Sequence, residues 1–472
     1  MKLRFNRVNM NRRKFIRNST LTGGISMIGP SVIKAISHVE SIKNEKEITI
    51  KHVDSNFERE PLIRPFGFKG GYMTEIWQTA SLLESDEGIR KVGLCSQNVL
   101  WSDARVFANH SESGGNALMY AITEYALSIL PGRTFVDPIE LLDDIISPVY
   151  EYAQSVTNNP DLRKTFVLNA LVGIDNAAWL LYAQTNNITS FDEMIPSAYQ
   201  PALSHHQKKV ASIPLMAYSI PINEIKQAAE EGYFFMKIKI GQPGDQKEML
   251  RKDKERLTSI HKSIGNYTTP YTSNGKIPYY FDANGRYHEK ETLLKLLDHA
   301  DKIKALEQIV VIEEPFPENK EILVDDIGVR IAADESAHTD IDAIHRIQMG
   351  YSAIALKAIA KTLSMTLKIA RVADQKKIPC FCADLTVNPI LVEWNKNVAA
   401  RLAPFPGLGL GLLETNGHQN YKYWKKMISY HPFPDASWRI ADKGVFNLDD
   451  DYYQKSGGIF TDSVHYDKMF YR

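Results

Sequence analysis

A surplus of charge of either sign is missing from this chain: 56 Lys and Arg are matched by 56 Asp and Glu across 472 residues, a formal net charge of zero. No global field therefore draws it to nucleic acid or to an acidic membrane surface. Cysteine is scarce as well. Cys95, Cys380 and Cys382 are too few and too oddly counted for a disulfide framework, and none has zinc-site spacing. They read as small buried apolar residues. The chain has no internal repeat, no low-complexity tract, and no apolar run of the roughly 18 residues a bilayer span requires. What remains is an ordinary globular composition, long enough for one large domain and a smaller companion.

The N-terminus departs from that ordinariness. Residues 11–17 read NRRKFIR, and a weakly apolar, glycine-containing stretch follows over 21–36, broken by Pro30 and Lys34. This resembles a twin-arginine export signal, whose arginine pair is read by a receptor and whose core is less apolar than a general secretory signal. Asn11 stands where that pattern usually has Ser or Thr. The resemblance implies the twin-arginine export machinery as a partner and a periplasmic or otherwise exported location. Residues 1–40 are set aside as signal and tail.

Beyond them the pattern changes twice. Over 46–205 strand-like runs come first, ITIKHVDSNF and EIWQTASLLESD, with a glycine loop around Gly67–Gly71 between them. The helix-spaced apolar segments NALMYAITEYALSIL and TFVLNALVGIDNAAWLLYAQ follow. Strands followed by helices predict an α+β domain. Over 211–415 short strand-like runs alternate with helical ones: IPLMAYSI, YFFMKIKIG, IPYYFDANG, QIVVIEEP, VRIAADES, SAIALKA and IPCFCADL, with an eighth near Gly407–Leu413. Seven or eight βα units predict an α/β fold, a closed parallel (β/α)7–8 barrel of the TIM type. Its active site lies at the C-terminal ends of the strands. Residues 416–472 form a C-terminal return onto barrel and cap.

Charged residues collect at those strand ends. Lys237 and Lys239, two apart, share one face of their strand. Asp282 and Asn284 end the next run, Glu313 and Glu314 the third, Asp334 and Glu335 the fourth, Lys357 the fifth, and Asp384 the sixth. One charge at one strand end is unremarkable. Six successive ends are hard to place inside a barrel as structure alone, because buried charges must be paired or metal-bound. Three carboxylates from neighbouring strands make a hard oxygen site suited to magnesium, and no Cys or His joins them to suggest zinc, copper or iron.

The series KIKIG, DANG, IEEP, ADES and a later Lys resembles the muconate-lactonizing-enzyme and dipeptide-epimerase branch of the enolase superfamily, within the mandelate racemase/muconate lactonizing enzyme family. The resemblance covers nearly all of the mature chain and implies an α+β cap over a modified barrel. It implies one Mg2+ per active site held by Asp282, Glu313 and Asp334, with Lys239 and Lys357 as acid/base lysines on opposite faces of a small carboxylate substrate. Lys237 then contacts the substrate carboxylate. Asn284, Asp384 and Glu414 join it as substrate-binding residues, and Phe66, Phe68, Lys69 and Tyr72 lie on a loop dropped over the site. The implied reaction is removal of the proton alpha to a carboxylate through a metal-stabilised enediolate. Racemisation or epimerisation of a dipeptide or N-substituted amino acid is the leading form, and a homo-oligomer is expected. Dehydration of a sugar acid and a non-catalytic exported binding protein remain alternatives.

Three departures from the family pattern matter. LKAIAKTLS lacks the family's glycine pair, so Lys361 competes with Lys357 for the base position. No His base stands over 381–388. LLETNG replaces the acidic pair that binds the amino group in dipeptide epimerases, leaving Glu414 as its only acid.

The export reading has a direct test. Arg12→Lys together with Arg13→Lys is expected to leave the protein in the cytoplasm on cell fractionation. Unchanged export would reject the twin-arginine assignment.

Overall fold

β-branched and aromatic residues open the described chain, and they pair as a hairpin. In the computed structural model, which describes residues 45–69 and 71–471, β1 (Ile48–Phe68) runs antiparallel to β2 (Gly71–Ser85). The export-signal reading of residues 1–40 lies outside the described residues. The glycine loop is the tip of this hairpin: pairing ends at Phe68 and Gly71, and Lys69 takes a left-handed φ of 50°, as tight hairpin connections require. Pro61 has no N–H to donate, and the register shifts between Pro61 and Phe66. β3 (Arg90–Gln97) and β4 (Thr134–Phe135) complete a sheet of order β3-β2-β1-β4.

Three helices accompany the sheet: α1 (Ala104–Ser128), α2 (Pro138–Val156) and α3 (Lys164–Thr185). Asp137 caps α2 by accepting from the N–H groups of Ile139 and Glu140, with Pro138 in the first turn where its missing donor costs nothing. α3 packs on β2 and β3 and is apolar on every side. By length and composition alone it could cross a membrane, which corrects the expectation that no such run exists; its whole apolar window is buried within the protein. It approaches β3 so closely that a Cβ on Gly93 would lie 2.0 Å from the carbonyl oxygen of Gly173.

The second sheet is the barrel. Its strands are β5 (Lys209–Ile213), β6 (Leu215–Met216), β7 (Met236–Lys239), β8 (Tyr279–Asp282), β9 (Ile309–Glu313), β10 (Ile331–Ala333), β11 (Ala353–Leu356), β12 (Cys380–Cys382) and β13 (Gly411–Glu414). From β6 to β13 they are parallel neighbours in chain order. β5 and β6 form one path interrupted at Pro214. β5 pairs with β13 and β6 with β7, so this path closes the ring. The closure is visible in two 3.0 Å bonds: Lys237 N–H to the carbonyl of Pro214, and Thr415 N–H to that of Ile213.

The first strand therefore begins earlier than its apolar run suggests. The C-terminal hairpin of β14 (Ala441–Asp442) and β15 (Val445–Asn447) pairs antiparallel with β5 along that earlier part. Helices α4 (Ile222–Glu230), α5 (Gln246–Ile264), α6 (Lys290–Lys302), α7 (Asp340–Gln348), α8 (Leu363–Gln375) and α9 (Pro389–Arg401) fill the connections after β6, β7, β8, β10, β11 and β12. Between β9 and β10 the described residues form no helix.

Cap and barrel are joined by polar contacts as well as by apolar packing. Lys422 N–H donates to the carbonyl of Pro61, and Gln78 Nε2 donates to the Tyr421 hydroxyl at 2.7 Å. In α3, Asp175 accepts from the Ser364 N–H at 3.1 Å and from its hydroxyl at 2.5 Å. Burial nevertheless pushes the Asp175 carboxyl up to about 7.

An unfolded Asp titrates near ~3.9, so the unfolded chain loses this proton first as pH rises. The contribution of Asp175 to stability is complete below pH ~4 and declines until its folded pKa is passed. Asp175→Asn is expected to remove that decline, and urea melts at pH 4 and 7 read it. An equal pH slope in both proteins would overturn the assignment.

Candidate active site

The chemistry-bearing residues sit where each parallel strand runs out of hydrogen-bonding partners. Three of these exits place a non-glycine residue in left-handed backbone: Asn284 (φ 45°), Glu314 (φ 40°) and Thr386 (φ 59°). Such conformations cost of order 1–3 kcal/mol each and persist where surrounding structure imposes them.

Lys237 occupies the middle of the site. Its ammonium lies 2.9 Å from Asp282 Oδ2, 2.9 Å from Glu313 Oε1 and 3.1 Å from Glu414 Oε2. Burial disfavours that charge, yet the three carboxylates outweigh it and hold the Lys237 pKa well above the ordinary lysine value. Lys239 donates at 2.5 Å to both Asp282 Oδ2 and Asn284 Oδ1. Across the ring, Lys357 lies 2.5 Å from Asp334 Oδ2 and 4.3 Å from the ring centroid of Trp101. Burial opposes the Lys357 ammonium too, but Asp334 prevails and its pKa is raised. Lys361 stands behind Asp334, fully buried, donating to that residue's carbonyl at 2.7 Å. Lys357 lines the inner chamber and Lys361 does not.

The carboxyls outnumber their partners. Asp282, Glu313, Glu314, Asp334, Glu335, Asp384 and Glu414 are all buried, against the ammoniums of Lys69, Lys237, Lys239, Lys357 and Lys361. The seven carboxyls outnumber the five ammoniums by two, and the guanidiniums of Arg163 and Arg346 act on Glu335 and Glu314 from the outer side. Burial, with too little compensation, pushes Glu313, Glu314 and Asp384 each up to about 7. Asp334 instead falls below the ordinary range: burial works against its charge, but Lys357 and Lys361 prevail.

Oxygen atoms of Glu313, Asp334 and Glu335 lie within 4.8 Å of one another. Among the described residues Asp334 Oδ1 and Glu335 Oε2 accept no hydrogen bond, although the Lys361 ammonium lies 3.4 Å from Asp334 Oδ1. An all-oxygen set with acceptors that receive no hydrogen bond fits a hard divalent cation. The grouping differs from the expected one. Glu335 is in it, while Asp282 is drawn to Lys237 and Lys239.

The remaining expected contacts divide. Phe66 and Phe68 line the inner chamber with Asn284, Asp384 and Glu414, and the Phe68 ring lies 5.7 Å from the Lys239 ammonium. Lys69 meets Glu335 at 2.8 Å rather than lining that chamber. Tyr72 does not reach the site: it is 66% exposed, its ring lying over Gly67, where a Cβ would meet it at 2.4 Å. Tyr72 pairs with Gly67, one step out of phase with Phe66 and Phe68, so strand alternation turns it to the opposite face.

Trp101 was not anticipated. It comes from a short helical turn, Val99–Ser102, capped by Asn98, and its indole N–H reaches Asp334 Oδ2 at 3.3 Å. The sequence marks it only as a buried-type aromatic in VLWSD. Tyr280, whose hydroxyl donates to Glu313 Oε2 in a short bond, was also missed; it reads as a core aromatic of its strand.

Residues 222–435 match the family model described as enolase C-terminal domain-like. Over those residues the barrel is similar to that family's domain. Solved structures with the same fold include a dipeptide epimerase from Enterococcus faecalis V583 complexed with Mg and the dipeptide L-Leu-L-Tyr. That match has 16% identity, covers 79% of this chain and 92% of that one, and has a TM-score of 0.58. A dipeptide epimerase from Cytophaga hutchinsonii with Mg and D-Ala-L-Val gives 17%, 79%, 88% and 0.58 by the same measures. An N-succinyl Arg/Lys racemase from Bacillus cereus gives 16%, 80%, 89% and 0.57. Among curated proteins, none matches the chain. The barrel carries its charged cluster at the strand ends that the cap covers.

Lys361 supplies a check on that cluster. Lys361→Met is expected to cost about 3 kcal/mol of folding stability, because Asp334 loses a buried counter-charge. Urea denaturation measures it, and an unchanged midpoint would show that Lys361 does not hold Asp334.

Proposed function

We propose that the protein is a magnesium-dependent racemase or epimerase that moves the proton alpha to a carboxylate of a small acid. The observation that carries this reading is the pair of buried lysines on either side of one carboxylate cluster. Lys239 ends β7 and Lys357 follows β11, with β8, β9 and β10 between them. A 1,1-proton transfer needs an acceptor on one face of the reacting carbon and a donor on the other. The similarity to a racemase and to dipeptide epimerases supports the same chemistry.

Asp282, Glu313 and Asp334 are assigned to the metal, with Glu335 as an additional donor suggested by its place in the oxygen cluster. When bound, magnesium supplies positive charge that offsets charge developing on the substrate carboxylate. Lys237 orients that carboxylate. Lys239 serves one face and Lys357 the other, and both ammoniums start hydrogen-bonded to an aspartate. The lysine on the face that carries the substrate proton must first release its own to act as the accepting amine, while the opposite ammonium donates. Phe66, Phe68 and Trp101 keep bulk water from the exchange, which preserves the strength of those electrostatic contacts. Export through the twin-arginine route belongs to the same proposal and places the enzyme outside the inner membrane.

Two measurements test the reading. Asp282→Asn, Glu313→Gln and Asp334→Asn are each expected to weaken magnesium binding at least about tenfold by calorimetry while leaving the circular dichroism spectrum intact. In heavy water, Lys239→Ala and Lys357→Ala are expected to block turnover but still admit deuterium, each into the opposite stereoisomer. If only one lysine matters and a β-hydroxyl is expelled, the reaction is a dehydration. Full activity in chelator-treated protein would remove the metal assignment altogether.

A further inference from the structure

The inner chamber that holds Lys237, Lys239 and Lys357 measures about 30 Å³, too small to enclose the whole of an amino-acid derivative. Beside it lies a cleft of about 770 Å³. The two share Asn284, which bonds to Glu335, and the Lys69–Glu335 pair stands on the cleft side of that border. The cleft runs between the cap, at the starts of α1 and α3, and the helix-free segment that follows β9. Successive left-handed residues, Asn284 (φ 45°) and Gly285 (φ 73°), turn the chain at the border. Asn284 bonds inward to Lys239, whereas Arg286 bonds away from the cluster, to the carbonyl of Gly241.

The charges that line the cleft are mostly spoken for. Asp103 holds Arg105 with two bonds, of 3.0 and 2.8 Å. Glu318 is taken by Arg163 and His338, Glu321 by His345, and Glu335 by Lys69. Asp342 closes the capping box of α7 with Thr339. Arg346 donates to the carbonyl of Glu318 and packs on Tyr351, with the acid of Glu314 nearby. Among the arginines of the cleft, only Arg286 has neither terminal amino group in a hydrogen bond with the described residues. It is half-buried, has no carboxylate within 4.0 Å among the described residues, and commits only its Nε, at 3.2 Å. Its two terminal amino groups keep the fork that recognises a carboxylate bidentately.

We infer that this cleft is the specificity pocket for the body of the substrate, and that Arg286 selects acids carrying a second carboxylate, such as an N-acyl or peptidyl amino acid with an acidic distal group. The inference rests on the proposed proton-transfer chemistry at the inner chamber. The reacting carboxylate enters past the Lys69–Glu335 pair, and the distal one remains in the cleft.

The test follows deuterium exchange in the magnesium-loaded, full-length protein with matched pairs: N-acetyl against N-succinyl amino acids, and neutral against acidic dipeptides. Wild type is expected to favour the diacid of each pair. In Arg286→Met the ratio of kcat/KM for diacid over monoacid is expected to fall about tenfold, as loss of a charged hydrogen-bonding partner implies, mainly through KM. Arg286→Lys restores part of that ratio, which a merely structural role for Arg286 would not produce. A wild-type preference for monoacids, or a ratio unchanged in Arg286→Met, overturns the inference and leaves the proton-transfer reading standing. Magnesium binding without exchange into any substrate overturns both.

Discussion

Seven carboxyl groups and five ammonium groups are packed into the end of one barrel, nearly all of them buried, and their mutual compensation governs what the rest of the fold must do. Removing such charges from water costs several kcal/mol per ion unless geometry and hydrogen bonds return it. The lysines return part of it: Lys237 is shared by three acids, and Asp334 is held by Lys357 on one side and Lys361 on the other. The shortfall falls on Glu313, Glu314 and Asp384, whose carboxyls hold their protons toward neutrality. A cluster so balanced is arranged for a further cation, and its stability without one rests on those protons.

The cap is the second half of that arrangement. A barrel alone would leave the strand ends open to solvent, where exposed ion pairs contribute little. The β1–β2 hairpin sets Phe66 and Phe68 over the lysines of β7, and the turn at Asn98–Ser102 sets Trp101 over Lys357. Lys69 ties the hairpin tip to Glu335. The same elements that dry the site also narrow it, so the space for a substrate lies to one side, between cap and barrel.

Much of this was legible beforehand. Alternation between short apolar runs and helical stretches over 211–415 carried the barrel, because each parallel strand is buried on both faces and each helix on one. The site was legible for the same reason: lysines and acids that end buried strands stand out against apolar text. A closed barrel was expected, but the pairing that closes the ring was not legible. It depends on the path through Pro214 exchanging one neighbour for another, and a strand's partners are not written in its own residues.

By itself the sequence determined the fold class, the order of the strands and which strand ends carry charge, since these follow from local periodicity and residue type. Tertiary structure decided what those residues do to one another. It drew Asp282 to the lysines and Glu335 into the oxygen cluster, placed Lys357 in the chamber with Lys361 behind Asp334, turned Tyr72 out to solvent, and brought Trp101 from more than two hundred residues away to the Asp334 carboxylate. The physical reason is distance. Charge, burial and hydrogen bonding act between atoms that approach within a few ångströms, and which atoms do so is settled only when the cap closes on the barrel.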